Sequence, residues 1–279
     1  MDRRALVLGG GGVTGIAWET GLIAGLAGLG IDLTAADVII GTSAGSVVGA
    51  DITSGQELEA LYQAQLAPPA PEPTARIGWD FIGRLLWDMS TSRDPKRARM
   101  RIGRWALAAP TIPEADRRKV FQDRLHASSW PSAALKVTAV DARTGEFVVF
   151  DSASGADLVD AVAASCAVPG VWPPVTIGER RFMDGGMRTV ANADLAYRYE
   201  RVVIVAPVAA GIGVMAGAGR QAAALSAAGA RVVLVRPDRA ALQAIGRNVL
   251  DVSRRASAAR AGRTQAAAEA QAVRAVWPA

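Results

Sequence analysis

The chain has 279 residues, 51% hydrophobic and 20% charged, enough for one large α/β domain or two small ones with a substantial core. One cysteine, Cys166, excludes an internal disulfide framework and a cysteine-rich metal site, and no His, Cys or carboxylate cluster has metal-ligand spacing, so neither a catalytic metal nor a cofactor is expected. The formal net charge is +5, and the whole positive excess falls within residues 68–126, a patch suited to an anionic surface such as phospholipid head groups or nucleic acid.

Arg4-Ala5-Leu6-Val7-Leu8 reads as a buried first strand and Gly9 to Gly15 as a loop. The glycines break the apolar run at once and no cleavage site follows, so no signal peptide is read. No stretch of about 18 uninterrupted apolar residues occurs, so no transmembrane helix is expected and the sequence predicts a soluble cytoplasmic protein. Ile16 to Leu29 reads as a helix with Ile16, Leu22, Ile23 and Leu26 facing inward and Gly30 as its stop. Val38-Ile39-Ile40 reads as the end of a second buried strand, Ala44 to Ala50 as the helix after it, and a helix resumes near Gln56.

Pro68, Pro69, Pro71 and Pro73 break regular structure. Beyond them Trp79, Phe81, Ile82, Leu85, Leu86 and Trp87 recur at near-helical spacing, a stripe read as core packing, with a lipid-facing flap as the alternative. Arg93, Lys96, Arg97, Arg99, Arg101 and Arg104 then form a basic cluster, either a solvated helix face or a contact for anionic lipid. Residues 68–126 are thus expected to be a mostly helical, cap-like insert in a single domain spanning 1–279. Lys136 to Asp141 and Phe147 to Phe150 read as a strand pair around the turn Arg143–Glu146, and Asp157 to Ala167 as a helix. Val175–Ile177 and Arg181–Met183 flank a turn at Gly178-Glu179. Val202–Val205 and Val232–Val235 are two late strands. The tail from Arg239 is rich in strong helix formers, with Arg254, Arg255, Arg260 and Arg263 read as a solvated face. Strands alternating with helices predict an α/β fold with a mixed, largely parallel sheet covered by helices.

Three segments carry chemistry. Gly41-Thr42-Ser43-Ala44-Gly45 fits the nucleophile elbow G-x-S-x-G, in which a sharp strand-to-helix turn lifts the Ser43 hydroxyl toward the N-terminus of the new helix. The same residues also fit a glycine-rich turn with a capping serine. The loop Gly9 to Gly15 can turn backbone N–H groups toward a negative oxygen, a phosphate or the oxyanion of a tetrahedral intermediate. Asp184, in Met183-Asp184-Gly185-Gly186, ends a strand, where a plain hairpin turn is the alternative. The only histidine, His126, precedes Asp184 in the chain and sits in a polar helix end, against the usual Ser, Asp or Glu, His order. A site in which Asp184 itself takes the Ser43 proton is therefore favoured. A carboxylate with a free pKa near ~3.9 does this only where limited water raises its basicity. Cys166 reads as packing, and Asp141 and Asp151 as structural.

Taken in order, Gly10-Gly11-Gly12-Val13-Thr14-Gly15, the elbow at Gly41–Gly45 and Asp184-Gly185-Gly186 resemble the patatin-like phospholipase family. Ala164–Gly170 leading to Pro173-Pro174, and Asn192–Ala196, reinforce the resemblance, which covers residues 4–60 and 130–260. It implies a three-layer α/β/α sandwich that hydrolyses lipid or other acyl esters without a cofactor. Ser43 would be the nucleophile and Asp184 the base; the N–H groups of Gly10, Gly11 and Gly12, with that of Ala44, would form the oxyanion hole. Gly15, Gly41, Gly45, Gly185 and Gly186 would shape the turns. On this reading the basic segment 93–104 meets an anionic membrane and nucleic acid is not expected. Thr14 departs from the Arg or Lys usual in the family, which weakens the case for a phospholipid preference more than that for hydrolysis. Two other readings compete: a nucleotide-binding protein using Gly10–Gly15 as G-x-G-x-x-G with Asp32 as ribose ligand, and a catalytically idle protein that binds membrane surfaces.

Overall fold

The structure, a computed structural model, describes residues 2–68 and 79–278, with backbone alone at 79–82. Pro69, Pro71 and Pro73 and the side chains of Trp79, Phe81 and Ile82 therefore lie outside the described residues.

Strands β1 (Arg4–Leu8), β2 (Val38–Thr42), β3 (Leu135–Asp141), β4 (Phe147–Phe150), β5 (Val175–Ile177), β6 (Arg180–Asp184), β7 (Arg201–Val205) and β8 (Arg231–Val235) form one sheet in the order β5-β6-β3-β2-β1-β7-β8, with β4 paired to β3. The β3-β2-β1-β7-β8 pairings are parallel, whereas β4 and β6 run antiparallel to β3. The strand order reverses at β1, and the carboxyl ends of parallel strands at such a reversal are where α/β sheets bind ligands.

The pleat sends alternate side chains to opposite faces. Leu6 and Leu8 join one apolar cluster, and Ala5 and Val7 the other. The first face is covered by α1 (Gly12–Gly28), α2 (Ala44–Ile52), α3 (Leu58–Leu66), α6 (Glu114–Arg124), α7 (Leu158–Ser165), α9 (Arg239–Ile245) and α10 (Arg255–Val276). The second is covered by α4 (Trp79–Thr91), α5 (Pro95–Ala108) and α8 (Ala218–Ala227). Together they make the expected three-layer α/β/α arrangement.

Helix α1 starts at Gly12, so Gly12 to Gly15 form its first turn and the expected seven-residue loop shrinks to Gly9–Gly11. It ends as the sequence suggests: Gly30 takes φ +77°, and the N–H groups of Gly30 and Ile31 close on Ala27 and Leu26. Its outer side is buried as well, because Gly21 and Gly25 let α10 approach backbone to backbone; a Cβ at Gly25 would stand 2.6 Å from that of Ala266.

The insert is helical where described. Asp94 caps α5 by accepting from the N–H groups of Lys96 and Arg97, with Pro95 in the first helical position. The basic cluster is partly consumed inside the fold. Arg101 pairs with buried Asp88, Arg99 donates to the Gly145 carbonyl at 2.7 Å and Lys96 reaches Glu146 at 3.1 Å. Arg93, Arg97 and Arg104 remain exposed. The apolar stripe divides too: Leu85 is buried, whereas Leu86 and Trp87 are 45% and 67% exposed. The solvated face expected on α10 is also engaged. Arg255 donates to the carbonyls of Ala64, Gln65 and Ala67 at the end of α3, and Arg263 pairs with Glu59 at 2.7 Å. Asp141 is buried and accepts from the backbone of Arg143 and Thr144 and from Arg180, a structural role as expected.

His126 pairs with Asp51, Nδ1 to Oδ1, at 3.2 Å, and its backbone N–H donates to the same oxygen at 3.1 Å. The hydrogen bond to Asp51 raises the imidazole above its ordinary 6.5. A raised folded value stabilises the protein fully below the unfolded value, and this is lost as pH rises through the folded one. The gap in urea midpoint between wild type and His126→Ala is therefore expected to be larger at about pH 5.5 than at about pH 8.5. A gap independent of pH would refute the assignment.

Candidate active site

β2 brings Ser43 to the carboxyl edge of the sheet, where the chain turns into α2. Ser43 adopts φ 52° and ψ −117°, a left-handed backbone that costs an L-residue about 1–3 kcal/mol and persists only when its surroundings hold it. Here the Ser43 N–H donates to Ser165 Oγ at 2.8 Å. Its carbonyl accepts from the N–H and the hydroxyl of Ser46 at 2.9 and 2.7 Å. The flanking glycines allow the close passage the elbow needs: a Cβ on Gly41 would lie 2.5 Å from Ser46 Cα, and one on Gly45 would run into the Leu8 carbonyl.

Asp184 ends β6, opposite Ala139 of β3. Its backbone N–H donates to Ala167 at 3.0 Å, and one carboxylate oxygen accepts from the Gly186 N–H at 2.7 Å. Both the Ser43 and the Asp184 side chains are almost wholly buried. Burial raises the Asp184 pKa from 3.8 to about 7, against the opposing pull of the Gly186 N–H and of the nearby Ser43 side chain.

The opening glycines come to the same place. The Gly10 N–H, expected to face a ligand, is committed to the Val190 carbonyl at 2.8 Å. Among the described residues the N–H groups of Gly11, Gly12 and Ala44 donate to no protein acceptor, because they stand at the amino ends of α1 and α2. Two helix N-termini thus converge beside Ser43, where their partial positive charge favours an anion. Glycine loop, Ser43, Ala44 and Asp184 share one cavity of about 190 Å³, walled mostly by apolar side chains such as Val13, Ile16, Leu85, Phe121, Trp172 and Met187.

Other candidates sort themselves around this centre. His126 faces a neighbouring cavity with Asp51 as its partner. The Cys166 thiol stands in the wall of the Ser43 cavity, but burial pushes its pKa to about 12, so it stays protonated. Thr14 is buried and its hydroxyl donates to the Val249 carbonyl at 3.3 Å. Asp32, the conceivable ribose ligand, precedes β2 and is turned back on Thr34; it belongs to the end of that strand opposite Ser43. Among the described residues no cluster of His, Cys, Asp and Glu could hold a metal ion, and no helix is long and apolar enough to cross a membrane.

Three positioning residues were given no role by the sequence reading, although Asn192 and Ser165 stand in segments that carry the family resemblance. Asn192, fully buried with φ 50°, shares its amide N–H groups among Thr42 Oγ1, Thr138 Oγ1 and the carbonyls of Gly185 and Thr189. Ser165 anchors the Ser43 amide. Glu19, wholly buried, accepts from the Gly9 N–H at 3.1 Å, and its burial drives the carboxyl pKa well up. A polar residue inside an apolar helix, as at Glu19, was the one local signal for any of them.

A family model described as patatin-like phospholipase matches residues 6–197. Among solved structures, VipD from Legionella pneumophila is 13% identical, with a TM-score of 0.49 over 99% of this chain and 67% of its own. The type III effector protein ExoU is 15% identical, with a TM-score of 0.41 over 100% of this chain and 54% of its own. No curated protein sequence matches the chain.

Removing the Asn192 amide takes a donor from two buried hydroxyls and from the carbonyls of Gly185 and Thr189. Asn192→Ala is expected to lower the free energy of unfolding by about 1–3 kcal/mol in urea titrations. A loss within experimental error would show that water replaces the amide.

Proposed function

The chain belongs to the patatin-like phospholipase family, and from that premise we propose that it is a serine acyl-ester hydrolase of the lipid acyl hydrolase or phospholipase A type. The observation that carries this reading is that Ser43 and the buried Asp184 carboxylate line one cavity, with Ser43 close enough to lower the Asp184 pKa against the effect of burial. Ser43 attacks the ester carbonyl carbon while its proton passes to Asp184. The carbonyl oxygen becomes an oxyanion beside the N–H groups of Gly11, Gly12 and Ala44. As the tetrahedral intermediate collapses, the proton on Asp184 goes to the departing alkoxide, leaving an acyl group on Ser43. Water then attacks that acyl group, gives its proton to Asp184 and releases the acid and the Ser43 hydroxyl. A base that titrates near 7 suits this task, since it is substantially ionised at neutral pH yet basic enough to accept the proton.

The apolar cavity supports a lipid acyl chain as its occupant. The exposed cations of the insert, Arg93, Arg97 and Arg104, support contact with an anionic membrane surface. We read residues 1–279 as one domain in which 68–126 is an insert beside the site.

A fluorophosphonate probe is expected to label Ser43 and not Ser43→Ala. Ser43→Ala and Asp184→Asn are expected to lose about 10³-fold or more of p-nitrophenyl ester hydrolysis while remaining folded. Retained activity in Asp184→Asn together with loss in His126→Ala would overturn the dyad. Because the base must be ionised, kcat/KM is expected to climb with pH and level off above an inflection at about 7. A profile flat from about pH 5 to 9 would count against Asp184.

A further inference from the structure

Helix α6 brings Arg117, Phe121 and Arg124 to the Ser43 cavity; the i, i+4, i+7 spacing puts all three on one helical face. Arg117 is only 6% exposed. Its guanidinium carbon lies 3.7 Å from the centre of the Trp172 ring and 4.7 Å from that of Phe121. Contact with two rings holds the guanidinium in place against the cavity wall. The next residue fastens the helix: Arg118 holds Asp160 at 2.5 Å and Asp157 at 3.5 Å, binding α6 to α7. The positive charges are felt within the cavity wall, since Arg117 and Arg124 both pull the Cys166 thiol downward against the larger effect of burial. Apart from Ser43, Asp184 and these arginines, the lining is almost entirely apolar. Apolar walls do not discriminate charge, so discrimination falls to α6.

Resting on the hydrolase reading above, we propose that this face of α6, centred on Arg117, binds an anionic group, phosphate or carboxylate, carried by the acyl ester whose carbonyl lies at Ser43. A fixed guanidinium edge suits the two oxygens of such a group and adds charge-assisted hydrogen bonds in a site shielded from water. Arg117 then sets which esters enter productively, and the dyad acts on whatever is seated.

Titration calorimetry tests the binding without relying on turnover. Octyl phosphate is expected to bind wild type at least about tenfold more tightly than octyl glucoside, and Arg117→Gln to weaken octyl phosphate about ten- to a hundredfold while leaving octyl glucoside unchanged. Arg117→Lys is expected to recover part of the difference. Equal affinity for the two amphiphiles, or equal weakening of both by Arg117→Gln, would overturn the proposal. So would inorganic phosphate alone binding as tightly as octyl phosphate, which would make the site one for free phosphate. In turnover, KM for a p-nitrophenyl ester with a carboxylate-ended acyl chain is expected to rise in Arg117→Gln by a larger factor than KM for a neutral ester; a merely structural arginine would move both alike. Should Arg117→Gln fail to fold, the wild-type contrast and Arg124→Gln, expected to weaken octyl phosphate in the same sense, decide the matter. Absence of hydrolysis with every ester would remove the hydrolase reading, while the calorimetric contrast would still report on the wall.

Discussion

The hydroxyls of Thr42 and Thr138 meet at 2.9 Å in the interior, and the Asn192 amide ties both of them to the Gly185 carbonyl. This buried polar knot joins the end of β2, the middle of β3 and the turn after β6, three segments far apart in the chain. Ser43 is the next residue after Thr42, and Asp184 the residue before Gly185. The knot therefore sets the separation between hydroxyl and carboxylate from behind, before either group contributes to it. A network of this kind is strong when every member is satisfied and costly when one is missing, because no water is at hand to substitute. Arg188 braces it from outside by reaching both Asn192 Oδ1 and the Asp194 carboxylate.

The same dryness that lifts the Asp184 pKa opposes folding. Its folded pKa lies above its ordinary 3.8, so the folded state holds the proton more tightly than the unfolded chain. By linkage, its contribution to stability falls as pH climbs from the ordinary value through about 7. At neutral pH the protein keeps a partly ionised carboxylate in a place where a neutral amide would be easier to bury. Glu19, buried at the base of the glycine loop with one carboxyl oxygen lacking a hydrogen-bond partner, adds a second cost of the same kind. The left-handed backbone of Ser43 adds a third. Catalytic sites commonly concentrate such departures from the best-folded arrangement, and the tightly packed two-faced sheet is what carries them.

Central strands were read well from sequence because burial on both sheet faces makes them near-continuous apolar runs, as in Val202–Val205; the edge strand β8 keeps such a run at Val232–Val235 although only Val235 is buried. The elbow and the Asp-Gly-Gly turn were legible because their geometry demands glycines at fixed offsets. Where the reading failed, tertiary contact had overridden local pattern. Gly12 to Gly15 looked like loop because glycine disfavours helix, yet packing against Pro207, Val249 and Leu250 draws them into α1. The Gly10 amide looked available because nothing local announces Val190. Arg99, Arg101, Arg255 and Arg263 looked solvated because their acceptors lie on other elements. Asn192 and Ser165 stood in segments quoted for the family resemblance, but their positioning roles were not legible, because a single polar residue among small ones has no periodicity and its partners come from remote parts of the chain.

The close seating of α10 against α1, allowed by Gly21, Gly25 and Gly262, has a consequence in time. Thr14, in the first turn of α1, hangs from the Val249 carbonyl, and Val249 and Leu250 complete the wall beside the glycine amides. A ribosome must have passed these positions, and released the helix that follows, before the opening loop can be clamped in place. Ser43 is made early and the parts that arm it are made late, so the nascent polypeptide carries its reactive hydroxyl through synthesis without a formed pocket around it.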